Sequence, residues 1–258
     1  MPEFTEYAPG TPCWVDVASP DLDRTITFYS ELFGWESTED TRREAGGYTM
    51  LSKGGKYVAA AGPSPQEGMP SAWTTYIASD DVEATAGKIR DAGGTLLMEP
   101  FDVFDSGRMA VAQDPTGAVF GIWQAGEHHG AQLANEPGSF TWNEVQTPDV
   151  AAAEAFYRAV FHHELEQVPM GDGMTYGVLK VNGKSVGGLY ELEGDMAGMP
   201  PHWATAFAVA DTDATCKLAE GLGGSVLVQP LDIPAIGRYA VIQDPVGAVF
   251  QVLADPPS

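Results

Sequence analysis

The chain has 258 residues, with 13 Lys and Arg against 36 Asp and Glu, a net charge of −23 and 44% hydrophobic residues. Such a balance repels phosphate backbones and anionic lipid surfaces, so nucleic acid and membranes are not expected partners. The acidity is even: residues 1–128 hold 8 bases and 20 acids, residues 129–258 hold 5 and 16.

The opening MPEFTEYAPG is acidic and lacks the basic-then-apolar layout of a secretory signal. No apolar run reaches the roughly 20 residues that span a bilayer. Cys13 and Cys216 lie far apart without metal or redox spacing, so they read as reduced thiols of a cytoplasmic protein.

In chain order, Trp14–Ala18 alternates as a strand, with Trp14 and Asp16 on one face and Val15 and Val17 on the other. Pro20-Asp21 starts a helix whose Ile26, Tyr29 and Phe33 share a face. Strands at Tyr48–Lys53 and Tyr57–Ala61 flank the Gly54-Gly55 turn. After a Pro- and Gly-rich loop the order restarts. A strand at Trp73–Ser79 leads to a helix at Val82–Ala92 that stops at Gly93-Gly94. Strands near Leu96–Met98, Arg108–Gln113 and Val119–Trp123 complete the half.

The rest of the chain writes this order again. WVDVASPDLDRTITFYSELFGWE at 14–36 matches WNEVQTPDVAAAEAFYRAVFHHE at 142–164, and GRMAVAQDPTGAVF at 107–120 matches GRYAVIQDPVGAVF at 237–250. Two homologous domains are therefore expected, 1–127 and 138–258, joined by a linker at 128–137. Strand, helix, then several strands, repeated twice per domain, predicts an α+β fold with helices outside a curved sheet.

PDLDRTITFYSELFGWE, the mid-domain DDVEAT and QDPTGAVFGIW resemble the vicinal oxygen chelate superfamily of glyoxalases, bleomycin-resistance proteins and extradiol dioxygenases. Within it, the chain looks similar to tandem glyoxalase-like proteins often labelled hydroxylases. The resemblance implies two βαβββ modules per domain curling around a cleft. It also implies a divalent metal held there by His, Gln or Glu from separate strands.

Register places the ligand slots at Trp14, Thr74 and Gly121 in the first half, and at Trp142, Ala204 and Gln251 in the second. Only Gln251 is a plausible ligand. A shift of two residues keeps the face and brings in Asp16, Glu144 and His202. No resident metal or other cofactor is expected, although a divalent ion stays an alternative.

The expected clefts are instead aromatic and acidic. Asp16 and Glu144 are candidate acid/base groups or polar anchors. Trp14, Tyr48, Tyr76 and Trp123 would wall the first cleft, Trp142 and Tyr176 the second, with His202 as a further polar group there. Arg108 and Arg238 are candidate partners, as an anion clamp or as braces for Asp102 and Asp232. Asp114-Pro115 and Asp244-Pro245 read as turns. His128-His129 and His162-His163 read as surface pairs. GxSxG, HExxH, P-loop and dinucleotide-binding patterns are absent from the sequence.

These features suggest metal-independent binding of a planar aromatic, drug-like or polyketide-like molecule, by a monomer or homodimer, for sequestration, resistance or biosynthesis. The alternatives are lyase, isomerase or hydroxylase-type catalysis through Asp16 or Glu144, or through an unrecognised metal, and a ligand-free scaffold or antigen.

Overall fold

The computed structural model describes residues 4–40, 42, 45–171 and 174–256. The first half runs β1 (Pro12–Ser19), α1 (Leu22–Phe33), β2 (Glu36–Glu39), β3 (Thr49–Lys53) and β4 (Lys56–Pro63). It continues through β5 (Ala72–Ala78), α2 (Val82–Asp91), β6 (Thr95–Val103), β7 (Gly107–Gln113) and β8 (Val119–Ala125). The second half repeats this as β9 (Phe140–Thr147), α3 (Val150–Phe161), β10 (Glu164–Gly171), β11 (Met174–Val181) and β12 (Lys184–Glu191). Its other module is β13 (His202–Ala208), α4 (Thr212–Gly221), β14 (Ser225–Ile233), β15 (Gly237–Gln243) and β16 (Val249–Ala254). The short edge strand β2 was absent from the sequence-based order. Its four residues, ESTE, are all exposed and carry no apolar alternation.

Each half makes its own eight-stranded mixed sheet, ordered β2-β3-β4-β1-β5-β8-β7-β6 in the first and β10-β11-β12-β9-β13-β16-β15-β14 in the second. The clefts are thus built within halves, not across them. β1 and β5 run antiparallel at the centre, and each pairs in parallel with the last strand of its module. The four helices start alike: Asp21, Asp81, Asp149 and Asp211 each accept a backbone N–H from three residues on. These N-caps satisfy a free donor and place negative charge at the positive helix end, so part of the acidity is structural.

The cores cross between halves. Phe28, Tyr29 and Phe33 of α1 pack on Phe207 and Phe250 of the second sheet. Phe156, Tyr157 and Phe161 of α3 pack on Phe120 of the first. Burying an aromatic side chain of this kind contributes about 1.5–3 kcal/mol, so each half supplies a large share of the other's core. At the centre, Thr75 donates its hydroxyl to Asn143 Oδ1 at 3.0 Å and Thr205 donates to the same oxygen at 3.2 Å.

Polar locks reinforce the exchange. Trp35 donates its indole N–H to the Gly138 carbonyl at 2.7 Å, and its counterpart His163 pairs Nε2 with the Gly10 carbonyl at 2.7 Å. His163 is therefore buried, 3% exposed, rather than on the surface as the sequence suggested. Its neighbour His162 takes the left-handed helix cap at φ 59°, where the first half has Gly34. The expectation that Asp114 and Asp244 serve turns alone is also corrected. In each, Oδ1 accepts the backbone N–H groups of its own turn. Oδ2 accepts a buried phenol from the other half, Tyr157 at 2.8 Å or Tyr29 at 3.1 Å.

Candidate functional site

Strand period fixes which side chains meet. In the first sheet Trp14 pairs with Tyr76, and Tyr76 with Gly121. Thr74, expected as the mid-domain slot, lies two pairs further along, opposite Asp16. Tyr76 is the β5 residue that shares the row of Trp14 and Gly121, because β5 runs antiparallel to β1. In the second sheet the equivalent row is Trp142, Ala206 and Gln251, with Ala204 opposite Glu144.

Asp16 lies at the floor of the first cleft. One of its oxygens, Oδ2, accepts the phenols of Tyr76 at 2.9 Å and Tyr48 at 3.0 Å, while Trp14 donates its indole N–H to Tyr48 at 3.2 Å. Burial pushes the Asp16 carboxyl up to about 6 against the opposing pull of both hydrogen bonds. A methyl group at Gly121 would overlap the Tyr76 ring, so that ring occupies the third slot.

His128, expected on the surface, instead lays its ring over this cleft. Its centroid lies 4.4 Å from Trp14, 5.6 Å from Trp123 and 6.3 Å from Tyr57, all near edge-on. Trp123 donates its indole N–H to the His128 carbonyl at 2.8 Å. Across the same sheet, Arg42 follows edge strand β2 and pairs with Asp105 at 3.2 Å, beside the Phe104 ring at 3.9 Å, in the β6–β7 turn at the opposite edge. Side chains of this half therefore bridge the first cleft.

The second cleft lacks the counterpart of the arginine bridge: Met170 and Ala235 stand where Arg42 and Asp105 would be. Glu144, as buried as Asp16 at 9% exposed, holds three donors. Tyr176 donates its phenol to Oε2 at 2.5 Å, and the amides of Gln146 and Gln251 donate to Oε1 at 2.7 and 3.0 Å. Trp142 donates to the Tyr176 hydroxyl at 2.6 Å. No Cβ intrudes because position 188 is glycine, where a methyl group would overlap that hydroxyl.

Trp142, Tyr176, Tyr190 and Tyr239 are half-buried. Register carries the cleft face outward to Val168 beside Tyr176, Val228 in the row of Gln251, and Leu231 beside Tyr239. These three are exposed apolar side chains. Tyr176 and Tyr190 lie 6.2 Å apart, and burial and the Glu144 charge raise the phenol pKa values of both Tyr190 and Tyr239.

Of the residues expected from sequence, Trp14, Asp16, Tyr48, Tyr76 and Trp123 gather in the first cleft, and Trp142, Glu144, Tyr176 and Gln251 in the second. His202 heads β13 opposite Gln146 and turns its Nδ1 to the Pro200 carbonyl at 2.9 Å, at the rim of this group. Arg108 and Arg238 join neither carboxylate. Arg108 pairs with Glu83 of α2 and Asp102, and Arg238 with Asp213 of α4 and Asp232. They brace helix to hairpin, as such an arginine does when acids flank it in sequence. Gln146, Tyr190 and Tyr239 join the second group beyond the residues expected from sequence, and alternation along their strands is the signal that marks them.

The residues present do not fit the family's metal. The first row offers indole, phenol and glycine. The second offers one carboxylate, already holding three donors, and amide groups whose nitrogens point at it. Among the described residues no three His, Cys, Asp or Glu side chains converge.

This architecture has known counterparts. The profile of the Glyoxalase/Bleomycin resistance protein/Dioxygenase superfamily matches residues 13–122 and 126–252, and the chain belongs to that superfamily, in two tandem copies. It is 45% identical to "Putative glyoxylase CFP32" of Mycobacterium tuberculosis, over 100% of this chain and 99% of that protein. It is 42% identical to anthracycline biosynthesis protein DnrV of Streptomyces peucetius, over 97% of this chain and 95% of the relative. The Mn(II)-bound glyoxalase from Novosphingobium aromaticivorans shares the fold at a TM-score of 0.68 and 16% identity, over 96% of this chain and 83% of that one. No helix among the described residues is long and apolar enough to cross a membrane.

Proposed function

We propose that the second cleft binds a planar, uncharged or cationic polycyclic aromatic molecule of polyketide type, without a metal. The observation that carries this reading is the half-buried ring of Trp142, Tyr176, Tyr190 and Tyr239 around a carboxylate fixed by three donors. Aromatic faces and the exposed Val168, Val228 and Leu231 supply stacking surface; Glu144 accepts ligand hydroxyl or ammonium protons. An anionic ligand is disfavoured, because Arg238 is engaged by Asp213 and Asp232. The 42% identity to an anthracycline biosynthesis protein supports a polycyclic ligand.

The test is a titration with a hydroxylated anthraquinone, read by tryptophan fluorescence after chelator treatment. Saturable quenching is expected, weakened at least tenfold in Trp142→Leu, about 1.4 kcal/mol or more. Absence of quenching overturns the ligand class, and a stoichiometric divalent ion that survives dialysis overturns metal independence.

A second reading is favoured by the fixing of Glu144: a carboxylate held this firmly also suits acid/base chemistry on the bound molecule. Glu144→Gln would then abolish turnover while the ligand still binds, and turnover that persists in the variant rejects it.

A further inference from the structure

The first cleft presents a question separate from the second: an aromatic-walled slot is filled by a residue of the chain itself. His128 comes from the segment joining the two sheets, and that segment is anchored on both sides of the ring. His128 N–H donates to the Ser106 carbonyl at 2.9 Å, Glu127 N–H to Asp105 at 3.0 Å, and Ala131 N–H to Cys13 at 2.9 Å. Between these anchors the imidazole meets Trp14, Trp123 and Tyr57 through ring contacts. Its Nε2 is buried and has no hydrogen-bond partner among the described residues. A polar atom left unpaired in this way costs about 1–3 kcal/mol, so the slot gains nothing from the nitrogen. What it recognises is the flat ring.

We infer that the first cleft is itself a binding site for a small uncharged aromatic ring, with the His128 imidazole seated in it as an internal ligand. The anchors hold the backbone and not the ring, so the site would open by rotation of the His128 side chain. An apolar aromatic slot emptied of its side chain binds small aromatic molecules rather than water. Benzene, which buries no unpaired nitrogen, should therefore outrank imidazole there. This holds whether or not the second cleft binds polycyclic ligands.

The experiment compares wild type, His128→Gly, His128→Ala and His128→Phe at pH 8, where imidazole is neutral. Benzene and imidazole are the probes, followed by calorimetry and thermal melting. Benzene should bind His128→Gly and His128→Ala at least tenfold tighter than wild type, and tighter than imidazole does. The gain should vanish in His128→Phe, which keeps the slot filled, and when Trp14→Leu is added to His128→Gly. A folded glycine or alanine variant with wild-type affinity overturns the inference, as does a gain that survives Trp14→Leu. Histidine ring nitrogen resonances of the wild-type protein give a readout free of folding effects. Saturating benzene should move those of His128 toward solvent-exposed values, and unmoved resonances overturn the inference.

Discussion

The phenol of Tyr157 and the carboxylate of Asp114 meet at 2.8 Å across the two halves of the chain, and Trp203 donates its indole N–H to that same phenol at 2.8 Å. All three are buried. The hydroxyl is thus the middle of a relay joining α3, the β7–β8 turn and β13. Tyr157→Phe removes it and leaves a buried indole donor and a buried carboxylate oxygen unpaired. The expected loss is about 1–3 kcal/mol in urea denaturation. Tyr29→Phe, its counterpart between Asp244 and Trp73, should cost a similar amount.

Acid stability is set by groups that act in opposite directions. Burial lowers His128 to about 4, against 6.5 unperturbed, and lowers His163 as well. The unfolded chain therefore takes up protons first, and this contribution to stability is lost as pH falls below about 6.5. Asp16, raised to about 6 from 3.8, works the other way: its contribution is present below about 3.8 and is lost as pH rises through 6. The His128 and Asp16 effects are each on the order of 2–3 kcal/mol and largely cancel. Denaturation at pH 7 and pH 4.5 should show Asp16→Asn more acid-sensitive than wild type and His128→Gln less so.

The glycines of the two clefts predict unlike outcomes. At Gly188 an added methyl group meets the hydroxyl end of Tyr176 and, at 3.0 Å, the Glu144 Cβ, so the Tyr176 phenol is the group that must shift. Gly188→Ala should therefore fold, lose the Tyr176–Glu144 hydrogen bond, and bind a planar ligand at least tenfold more weakly. At Gly121 the methyl group meets the body of the Tyr76 ring, boxed in by Asp16 and Trp14. Gly121→Ala should instead destabilise the protein by about 1–3 kcal/mol, the usual cost of overpacking.

Arg238→Ala tests whether charge near the second cleft matters for binding. Its guanidinium is about one-third exposed, and its acid partners are more exposed still. The denaturation midpoint should hardly move, and anthraquinone affinity should stay within twofold of wild type.

Much of the fold was legible because its signals are local or repeated. The Asp caps, the Gly-Gly stops and the twofold recurrence of QDP-x-GAVF each report a turn or helix end directly. Strand parity likewise placed Trp14 with Asp16 and Trp142 with Glu144. What escaped was of two kinds. His128, His163 and Asp244 have partners more than a hundred residues away, Asp114 has one on a helix of the other half, and no periodicity reports such contacts. Tyr190 and Tyr239 escaped for a different reason. Their counterparts are Gly62 and Met109, and comparing halves draws the eye to what recurs, whereas the chemistry of the second cleft lies partly in what does not.

The crossed packing of α1 and α3 has a consequence for cutting the chain. A half expressed alone would present Phe28, Tyr29 and Phe33, or Phe156, Tyr157 and Phe161, to water with nothing to cover them. Two fragments divided between Gly130 and Ser139 should therefore be insoluble apart yet reassemble when made together, each completing the other. Such a divided protein would serve as a reporter of proximity, its signal being the restored cleft itself.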